Sequence, residues 1–461
     1  ESRLTQRRHS PHWPLFDSRT GRRGELGQVR RPAFARLPDN LRRNGLATHR
    51  HHRSVVSYWF PKRRCTFKRP FCPTLANETE PYDPLFFIRF HILVLPSFGA
   101  SPPFSTHRAG VNHGIMRCGM YGVRPDRADR YDVARPGLFI SNEGNFTYGN
   151  ASLCYYDITN SQLITDQDGD NDIFLSANGI PLGDVAQSVT SYGNTVYVVV
   201  NNSGVIFALD RHTAKITGTI RGLTSPRYMH ILSDTKAYVT DLYARAITIV
   251  DPSTCQITGR IDVSNGIDRQ HPTEQMVQYK NLIFTNCWSY DDKLLVIDSD
   301  QDKVVDSITV GIQPNSIALD CNNKLWVLTD GGYEGSPYGQ EQPTLSRIDA
   351  ESRNIELQLT FPMEDAPSEI CLNGSRDSLY FLNKDVWCMK VTDEQLPQKP
   401  FLKYTGTLYY GLAIDPKTSE VYVADAIDYV QYGVVYRLSP QAVPLDTIRV
   451  GITPGSFCFV E

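Results

Sequence analysis

An Asn or Asp residue ends a short apolar strand six times along this chain, and polar and aromatic residues follow it closely. The six residues are Asn201, Asp241, Asn286, Asp330, Asn383 and Asp425, and successive members lie 40 to 53 positions apart. A strand-rich repeat of roughly 40–50 residues is typical of a propeller or a similar array, because one unit cannot bury its apolar faces alone. This repeat constrains the fold more than any other feature of the sequence.

Each repeat contains four strand-like segments of alternating Val, Ile, Leu and Tyr, separated by polar turns, and helical periodicity is absent. Six complete repeats begin near Val185, Ser225, Pro272, Pro314, Pro367 and Tyr409. A seventh is split, with its middle strands in residues 137–158 and a further strand in the C-terminal ITPGSFCFVE. Pairing these pieces would close a ring and remove exposed sheet edges. We therefore predict an all-β fold, a seven-bladed β-propeller over residues 136–461 closed by the C-terminal strand; a solenoid is the lesser alternative.

Residues 1–135 differ from the repeat region in charge and composition. They hold 25 Lys and Arg against 10 Asp and Glu, whereas residues 136–461 hold 22 against 40. Of the 25 basic residues in the first segment, 23 are Arg, and no sustained strand or helix period is present. We interpret this segment as an irregular, Arg-rich basic leader that is disordered or not native to the protein. An RNA-binding arm is the alternative interpretation.

Neither a membrane span nor a cysteine framework is evident in the sequence. The apolar run from Phe86 to Phe98 is too short to cross a bilayer and contains Arg89 and His91. No signal peptide or lipidated Cys is visible, and this absence does not indicate where the protein resides. The ten cysteines form no C-x-x-C pair, and no metal or disulfide spacing is legible.

Two sets of loops are predicted to meet on one face of the ring, since the loop into an inner strand and the loop after the second strand emerge together. Both sets are rich in aromatic and amide or charged side chains, whereas the loops of the other face are plain polar turns. The candidate ligand-binding residues are Asn142, Phe146, Tyr148, Gln187, Arg227, Tyr228, Asp241, Tyr243, Glu274, Trp288, Tyr290, Tyr333, Tyr338, Tyr409, Tyr410, Tyr429 and Tyr432. Aromatic rings provide broad apolar area with little entropy to lose, so this face suits a large, flat, amide-rich ligand or a protein. The loops after Asn286, Asp330 and Asp425 are the longest or most aromatic. We therefore predict that ligand contacts concentrate in these loops and are not distributed evenly around the ring.

Catalytic and metal motifs are weaker. The acidic loop from Asp166 to Asp172 lacks the Gly position and the final Glu of a calcium loop. His271, near Glu274, is a candidate general base, but no His cluster accompanies it. No nucleophile elbow or phosphate loop appears, and the acidic repeat region argues against a nucleic-acid partner. We predict no catalytic residues, no catalytic cofactor and no metal site.

Long motifs resemble a known family. LTSPRYMHILSDTKAYVTDLYA, NCWSYDDKLLVID, KVVDSITVGIQPNSIALD, LWVLTDGGYEGSPYG and VYVADAIDYVQYGVVYRLSP are similar to the YncE-type propellers of gut Bacteroidetes, and most similar to the BtuG-type surface lipoproteins. The resemblance covers residues 136–461 and none of residues 1–135. It implies a non-catalytic protein of the cell surface and outer membrane that captures vitamin B12 (cobalamin) and related corrinoids. It also implies hand-over to a TonB-dependent outer-membrane transporter and anchoring through a lipidated Cys.

Two other classes of function stay open at this point. One is a propeller scaffold whose aromatic face binds protein or glycan. The other is a metal-dependent propeller lactonase or lyase, which would need acidic and amide side chains around the ring axis. Glu274, Asn315 and Glu369 are the residues that the sequence offers for that purpose.

Overall fold

The computed structural model describes residues 136–166, 169–266, 269–405 and 408–460, together with four short strands before them. In that earlier part, β1 (Phe16–Asp17) pairs with β2 (Arg22–Arg23), and β3 (Ser57–Phe60) pairs with β4 (Arg63–Thr66). Strands β3 and β4 fall in a different compact unit from the propeller strands. Apart from these strands, the predicted basic leader over residues 1–135 lies outside the described residues.

From residue 136 onward, the described residues form seven antiparallel sheets of three or four strands, and each sheet is one blade of a propeller. Blade 1 contains β5 (Gly137–Asn142), β6 (Ser152–Asp157) and β7 (Gln162–Leu163). Blade 2 contains β8 (Ala186–Tyr192), β9 (Thr195–Val200), β10 (Val205–Asp210) and β11 (Ile216–Arg221). Blade 3 contains β12 (Pro226–Ser233), β13 (Lys236–Asp241), β14 (Ala246–Asp251) and β15 (Gln256–Asp262). Blade 4 contains β16 (Thr273–Tyr279), β17 (Leu282–Cys287), β18 (Lys293–Asp298) and β19 (Lys303–Thr309).

The remaining blades complete the ring. Blade 5 contains β20 (Pro314–Leu319), β21 (Lys324–Thr329), β22 (Thr344–Asp349) and β23 (Ile355–Thr360). Blade 6 has three strands, β24 (Ser368–Leu372), β25 (Ser378–Asn383) and β26 (Asp385–Lys390). Blade 7 contains β27 (Tyr409–Ile414), β28 (Val421–Asp425), β29 (Tyr432–Leu438) and β30 (Pro444–Ile452). The final strand, β31 (Pro454–Val460), pairs with β5 and becomes the inner strand of blade 1. The predicted seven-bladed propeller closed by the C-terminal strand is confirmed.

The hydrophobic core is divided among the contacts between blades. Seven buried clusters occupy the described propeller, one between each pair of neighbouring blades, including blades 7 and 1. The fully buried Trp326, for example, packs with Phe361 and Phe381 between blades 5 and 6. Because every blade buries both faces against neighbours, the ring must close for the terminal blades to be covered.

The recurring Asn and Asp residues fasten the ends of the second strands. Asn286 Nδ2 donates to the Pro314 carbonyl of the next blade at 2.8 Å, and Asn201 Nδ2 donates to the Pro226 carbonyl at 3.0 Å. Asp425 instead accepts the backbone N–H of Leu408 at 2.7 Å, within its own blade. The Asn and Asp residues whose spacing predicts the propeller therefore have a structural role. Their side chains form hydrogen bonds at the face of the ring where the loops gather.

Within the described part of the chain, one helix interrupts the β structure, although helical periodicity is absent from the sequence. The six-residue α1 (Ile173–Asn178) begins after Asp172, whose carboxylate accepts the backbone N–H groups of Phe174 and Leu175. It ends at Gly179, which adopts a left-handed φ of 70°. Helical periodicity gives no sign of so short a segment, because two caps rather than an amphipathic pattern define it, and the predicted all-β class is confirmed. No helix among the described residues is long and apolar enough to span a membrane.

The pairing register places the two predicted loop sets on one face. The first residue of each inner strand pairs with the end of the second strand, as Thr273 does with Cys287 and Pro314 with Thr329. The loops that enter the inner strands therefore lie beside the loops that leave the second strands. We call this surface the loop face.

Candidate functional site

The second residue of every inner strand lies at one level around the propeller axis, close to the loop face. In each blade the pairing register shifts at this position, so the strand begins with a β-bulge that re-aims the side chain. The seven residues are Gln187, Arg227, Glu274, Asn315, Glu369, Tyr410 and Gly455. We call them the axial ring.

Arg227 links three blades within the axial ring. Its Nε donates to Glu274 Oε2 at 2.8 Å, and its Nη1 donates to Gln187 Oε1. Both members of the ion pair are almost completely buried, with 3% and 2% of their side chains exposed. Burial alone would lower the pKa of the guanidinium, but the Glu274 carboxylate raises that pKa overall, so Arg227 carries a charge at neutral pH.

Gly455 has no side chain to place in the axial ring, and the carboxyl group of Glu143 occupies that space. The Glu143 backbone N–H donates to the Thr453 carbonyl at 2.8 Å, which brings the residue beside the inner strand of blade 1. A Cβ on Gly455 would lie 2.9 Å from Glu143 Oε1, so the glycine makes room for this carboxyl group. Glu143 Oε2 accepts a hydrogen bond from the Tyr410 hydroxyl at 2.9 Å.

A cavity of about 350 Å³ extends from the axial ring along the inner strands of blades 6, 7 and 1. Its volume falls within the range of small-molecule sites. The lining changes from polar at the loop face to apolar deeper in the ring. The polar part comprises Glu143, Gln187, Tyr228, Gln275, Glu369, Tyr410 and Ser456, and the apolar part includes Leu372, Leu412, Ile414, Phe457 and Phe459.

Two glutamates in this cavity have strongly perturbed acidity. Burial raises the pKa of Glu143 to about 8, against the opposing influence of Arg227 and Tyr410. Burial also raises the pKa of Glu369 to about 8, and the Glu274 carboxylate adds to the effect. Both groups are therefore largely protonated at neutral pH, and each can donate as well as accept a hydrogen bond.

This perturbation makes the stability of the fold depend on pH. Between pH 4.5 and about 8 the native state retains protons on Glu143 and Glu369 that the unfolded chain releases. The free energy of unfolding should then fall as the pH rises through this window, by up to about 1.4 kcal/mol per pH unit for each group, and level off above it. Urea unfolding at several pH values should show a shallower decline in Glu369→Gln than in the wild type. The exposed Glu394→Gln variant is the control, and equal slopes in all three proteins would contradict the assignment.

An aromatic cluster from blades 4 and 5 forms the second part of the loop face. The rings of Tyr290 and Tyr338 stack with centroids 4.8 Å apart, and the Tyr290 and Tyr333 hydroxyls are 3.4 Å apart. The guanidinium of Arg269 lies 5.5 Å from the centre of the Tyr338 ring. Tyr338 remains 40% exposed, so this cluster presents aromatic area to the solvent. We call Tyr290, Tyr333 and Tyr338 the tyrosine cluster.

A family model matches residues 136–437, which is most of the propeller. The model describes DUF5074, a domain of unknown function. The chain belongs to the DUF5074 family. No curated protein sequence matches the chain. The DUF5074 propeller is similar to a quinonprotein alcohol dehydrogenase-like protein from Bacteroides thetaiotaomicron, with 13% identity and a TM-score of 0.54 over 71% of this chain and 78% of that one. It is also similar to the periplasmic gluconolactonase PpgL of Pseudomonas aeruginosa, with 13% identity and a TM-score of 0.51 over 71% of this chain and 99% of that one. At these identities the similarity shows the fold alone.

Eight of the predicted site residues are buried in the DUF5074 propeller, and three of these make contacts within or between blades and do not line the axial cavity. Asn142 is fully buried and donates to Ser152 Oγ at 3.1 Å. Asp241 accepts the backbone N–H of Ser225 at 2.8 Å. Tyr409 packs edge-on against the ring of Tyr404, with centroids 5.0 Å apart. Their contacts stabilise the blades, so direct contact with a ligand stays a prediction that the geometry does not favour.

The other predicted residues are divided between the axial ring, the tyrosine cluster and isolated positions, except for Tyr228, which lines the axial cavity. Trp288 is buried, and its indole N–H donates to Asp330 at 3.2 Å, which holds the loop that carries Tyr290. Tyr429 stacks edge-on with Tyr410 at 5.7 Å. The more exposed positions are Phe146, Tyr148, Tyr243 and Tyr432. The structure thus assembles two groups on the loop face of the DUF5074 propeller, one axial and one in blades 4 and 5.

Glu369 is predicted from the sequence only for the alternative metal-dependent site, whereas Gln275 is absent from the candidate ligand-binding residues and Glu143 is not named. Glu369 occupies the same strand position as Arg227 and Glu274, so blade alignment carries a signal for it. Glu143 has no such signal, because it reaches the axis from a loop of blade 1. Among the described residues, the axial carboxyls do not form a group of three metal-ligating side chains with ligand atoms within 4.8 Å of one another.

Proposed function

We propose that the loop face captures a corrinoid, with the flat face of the ligand on the tyrosine cluster and its amide groups near the axial ring. The observation that carries this proposal is the pairing of a partly exposed aromatic surface with buried polar groups on one face of a rigid ring. The proposed role is non-catalytic binding.

The tyrosine cluster suits the broad, partly apolar face of a corrin. Tyr290 is held by stacking on Tyr338 and by its contact with Tyr333, so little side-chain entropy is lost when a ligand packs there. Tyrosine also keeps a hydroxyl for the polar rim of the ligand. A preformed aromatic surface of this kind lowers the ordering cost of binding.

The axial cavity suits amide side chains. A primary amide both donates and accepts hydrogen bonds, and a protonated carboxyl group does the same. Glu143 and Glu369, which are largely protonated at neutral pH, can therefore pair with an amide without a buried net charge. Gln187 and Gln275 line the same part of the cavity.

The cellular role is proposed from the motif resemblance. By this proposal the protein resides at the cell surface on the outer membrane, attached through a lipid anchor. It passes the corrinoid to a TonB-dependent outer-membrane transporter. The propeller supplies a rigid frame, and the loop face supplies the ligand contacts.

Titration of the full chain with cyanocobalamin by calorimetry tests the proposal. We expect saturable binding with a dissociation constant in the micromolar range or below. Cobinamide, which keeps the corrin and its amides but lacks the nucleotide, should also bind, because the proposed contacts are with the corrin. No heat of binding for either ligand at micromolar protein would contradict corrinoid capture.

The alternatives are a scaffold that binds protein or glycan and a metal-dependent lactonase or lyase. One observation motivates the enzyme alternative, which is that Glu143, Glu274 and Glu369 lie close enough on the axis to influence one another electrostatically. Hydrolysis of a sugar lactone by the full chain, together with silence in the cyanocobalamin titration, would favour that alternative. If the chain neither hydrolyses the lactone nor binds cyanocobalamin, the scaffold that binds protein or glycan would be the remaining alternative.

A further inference from the structure

Three side chains of different chemistry converge beside the tyrosine cluster. They are His271, just before β16, Cys287, the last residue of β17, and Asp291, in the loop that follows. Their ligand atoms all lie within 4.8 Å of one another, and His271 Nδ1 lies 2.7 Å from Asp291 Oδ2. Sequence reasoning considered His271 only as a general base, because the other two residues are distant from it in the chain.

The backbone around the three residues is fixed. The His271 N–H donates to the Val263 carbonyl at 2.9 Å, and the Asp291 carbonyl accepts the Gln313 N–H at 2.8 Å. Asp291 Oδ1 also accepts the N–H of Asp292 at 2.8 Å. These contacts position the ligand atoms in the way that outer contacts orient metal ligands in known sites.

The thiol is poorly placed for nucleophilic catalysis. Cys287 is fully buried, whereas a nucleophilic thiolate needs access to its substrate. Solvent instead reaches the group from the side of His271, whose side chain is 16% exposed, while Asp291 is 6% exposed.

We propose that His271, Cys287 and Asp291 form a binding site for a thiophilic divalent metal ion such as Zn²⁺. Imidazole, thiolate and carboxylate are the ligands that zinc takes, and a tetrahedral ion separates its ligand atoms by about 3.3–3.8 Å. To hold the ion, the contact between His271 and Asp291 would open from 2.7 Å, and any pair of ligand atoms near the 4.8 Å limit would close by about 1 Å. On binding, the Cys287 thiol releases its proton to solvent, and a water molecule completes the coordination from the exposed side.

The bound metal ion would stabilise the conformation of the loop that carries Tyr290. Cys287 and Asp291 flank the segment Trp288–Ser289–Tyr290, so their coordination to one ion closes this loop at both ends. The site is a structural addition to the loop face, and its existence does not depend on which ligand that face binds.

Cobalt is the probe for the test, because thiolate coordination to Co²⁺ produces a near-ultraviolet charge-transfer band. The metal-free full chain is titrated with Co²⁺ and followed by absorption, with Cys287→Ser and Asp291→Asn as variants. Cys321→Ser is the matched control, since Cys321 is an exposed free cysteine in a turn of blade 5. We expect the band in the wild type and the control and its loss in Cys287→Ser. Asp291→Asn should bind Co²⁺ at least about tenfold more weakly.

Several results would overturn the site. They are absence of the band in the wild type, its persistence in Cys287→Ser, or its loss in Cys321→Ser. If Cys287→Ser fails to show a cooperative unfolding transition, the Asp291→Asn variant carries the test. An unchanged Co²⁺ affinity in Asp291→Asn would then rule out the proposed coordination.

Discussion

Replacing Arg227 with Met is expected to lower the free energy of unfolding by about 3–5 kcal/mol at neutral pH, because removing one partner of a buried ion pair leaves the other charge uncompensated. Glu274 would lose its contact with the guanidinium, and Gln187 would lose a hydrogen-bond donor. Met fills a comparable volume, so the loss would report electrostatics and hydrogen bonding rather than a cavity. Urea unfolding monitored by tryptophan fluorescence provides the measurement.

Two further variants separate the buried pair from a general effect of removing an arginine. Arg353→Met removes a surface ion pair in which the guanidinium lies 2.7 Å from Asp306, and we expect a cost below about 1 kcal/mol. Arg227→Met combined with Glu274→Met removes both buried charges and should recover part of the stability lost in the single variant. Equal losses in Arg227→Met and Arg353→Met would contradict the role of the axial ring as a buried network.

The propeller fold could be predicted from the sequence because one feature recurs in every complete blade. The spacing of Asn201, Asp241 and their counterparts reports blade length, and the unmatched first and last strands indicate how the ring closes. The structural reason is the hydrogen bonding of these residues, which each blade needs at the same place. The short helix after Asp172 escaped prediction because caps and packing, rather than periodicity, form it.

The candidate site was harder to predict from the sequence than the fold, and the β-bulges are the main physical reason. In a regular strand the side chains alternate, but a bulge at the second residue of each inner strand changes which side chain faces the axis. Glu369 has a left-handed φ of 57° at this position, which local sequence does not indicate. Glu143 joins the ring only because Gly455, at the far end of the chain, leaves space for its carboxyl group.

The second prediction with a large expected effect concerns the affinity for cyanocobalamin. It follows from the concentration of aromatic loops on one side of the loop face. Tyr290 and Tyr338 stack in the loops after Asn286 and Asp330, which are two of the loops predicted to dominate contact. Removing both rings in Tyr290→Ala combined with Tyr338→Ala should weaken cyanocobalamin binding by about 2–4 kcal/mol, or roughly 30- to 1,000-fold, because aromatic anchors dominate binding energy. Both side chains lie in loops, so the unfolding transition of the propeller should change little.

Tyr192 provides a matched control on the opposite face. It is 40% exposed, as is Tyr338, and it ends β8 at the turn toward β9. Its hydroxyl donates to Asp234, so the residue is ordered like the members of the tyrosine cluster. Tyr192→Ala should leave the affinity for cyanocobalamin unchanged.

A calorimetric comparison tests corrinoid capture by the loop face most directly, with cyanocobalamin titrated separately into the wild type, the Tyr290→Ala/Tyr338→Ala variant and Tyr192→Ala. Corrinoid capture predicts saturable binding by the wild type and Tyr192→Ala, and binding weakened at least about 30-fold in the double variant. Absence of binding in the wild type would contradict the proposed ligand. Equal affinities in all three proteins would contradict the proposed surface.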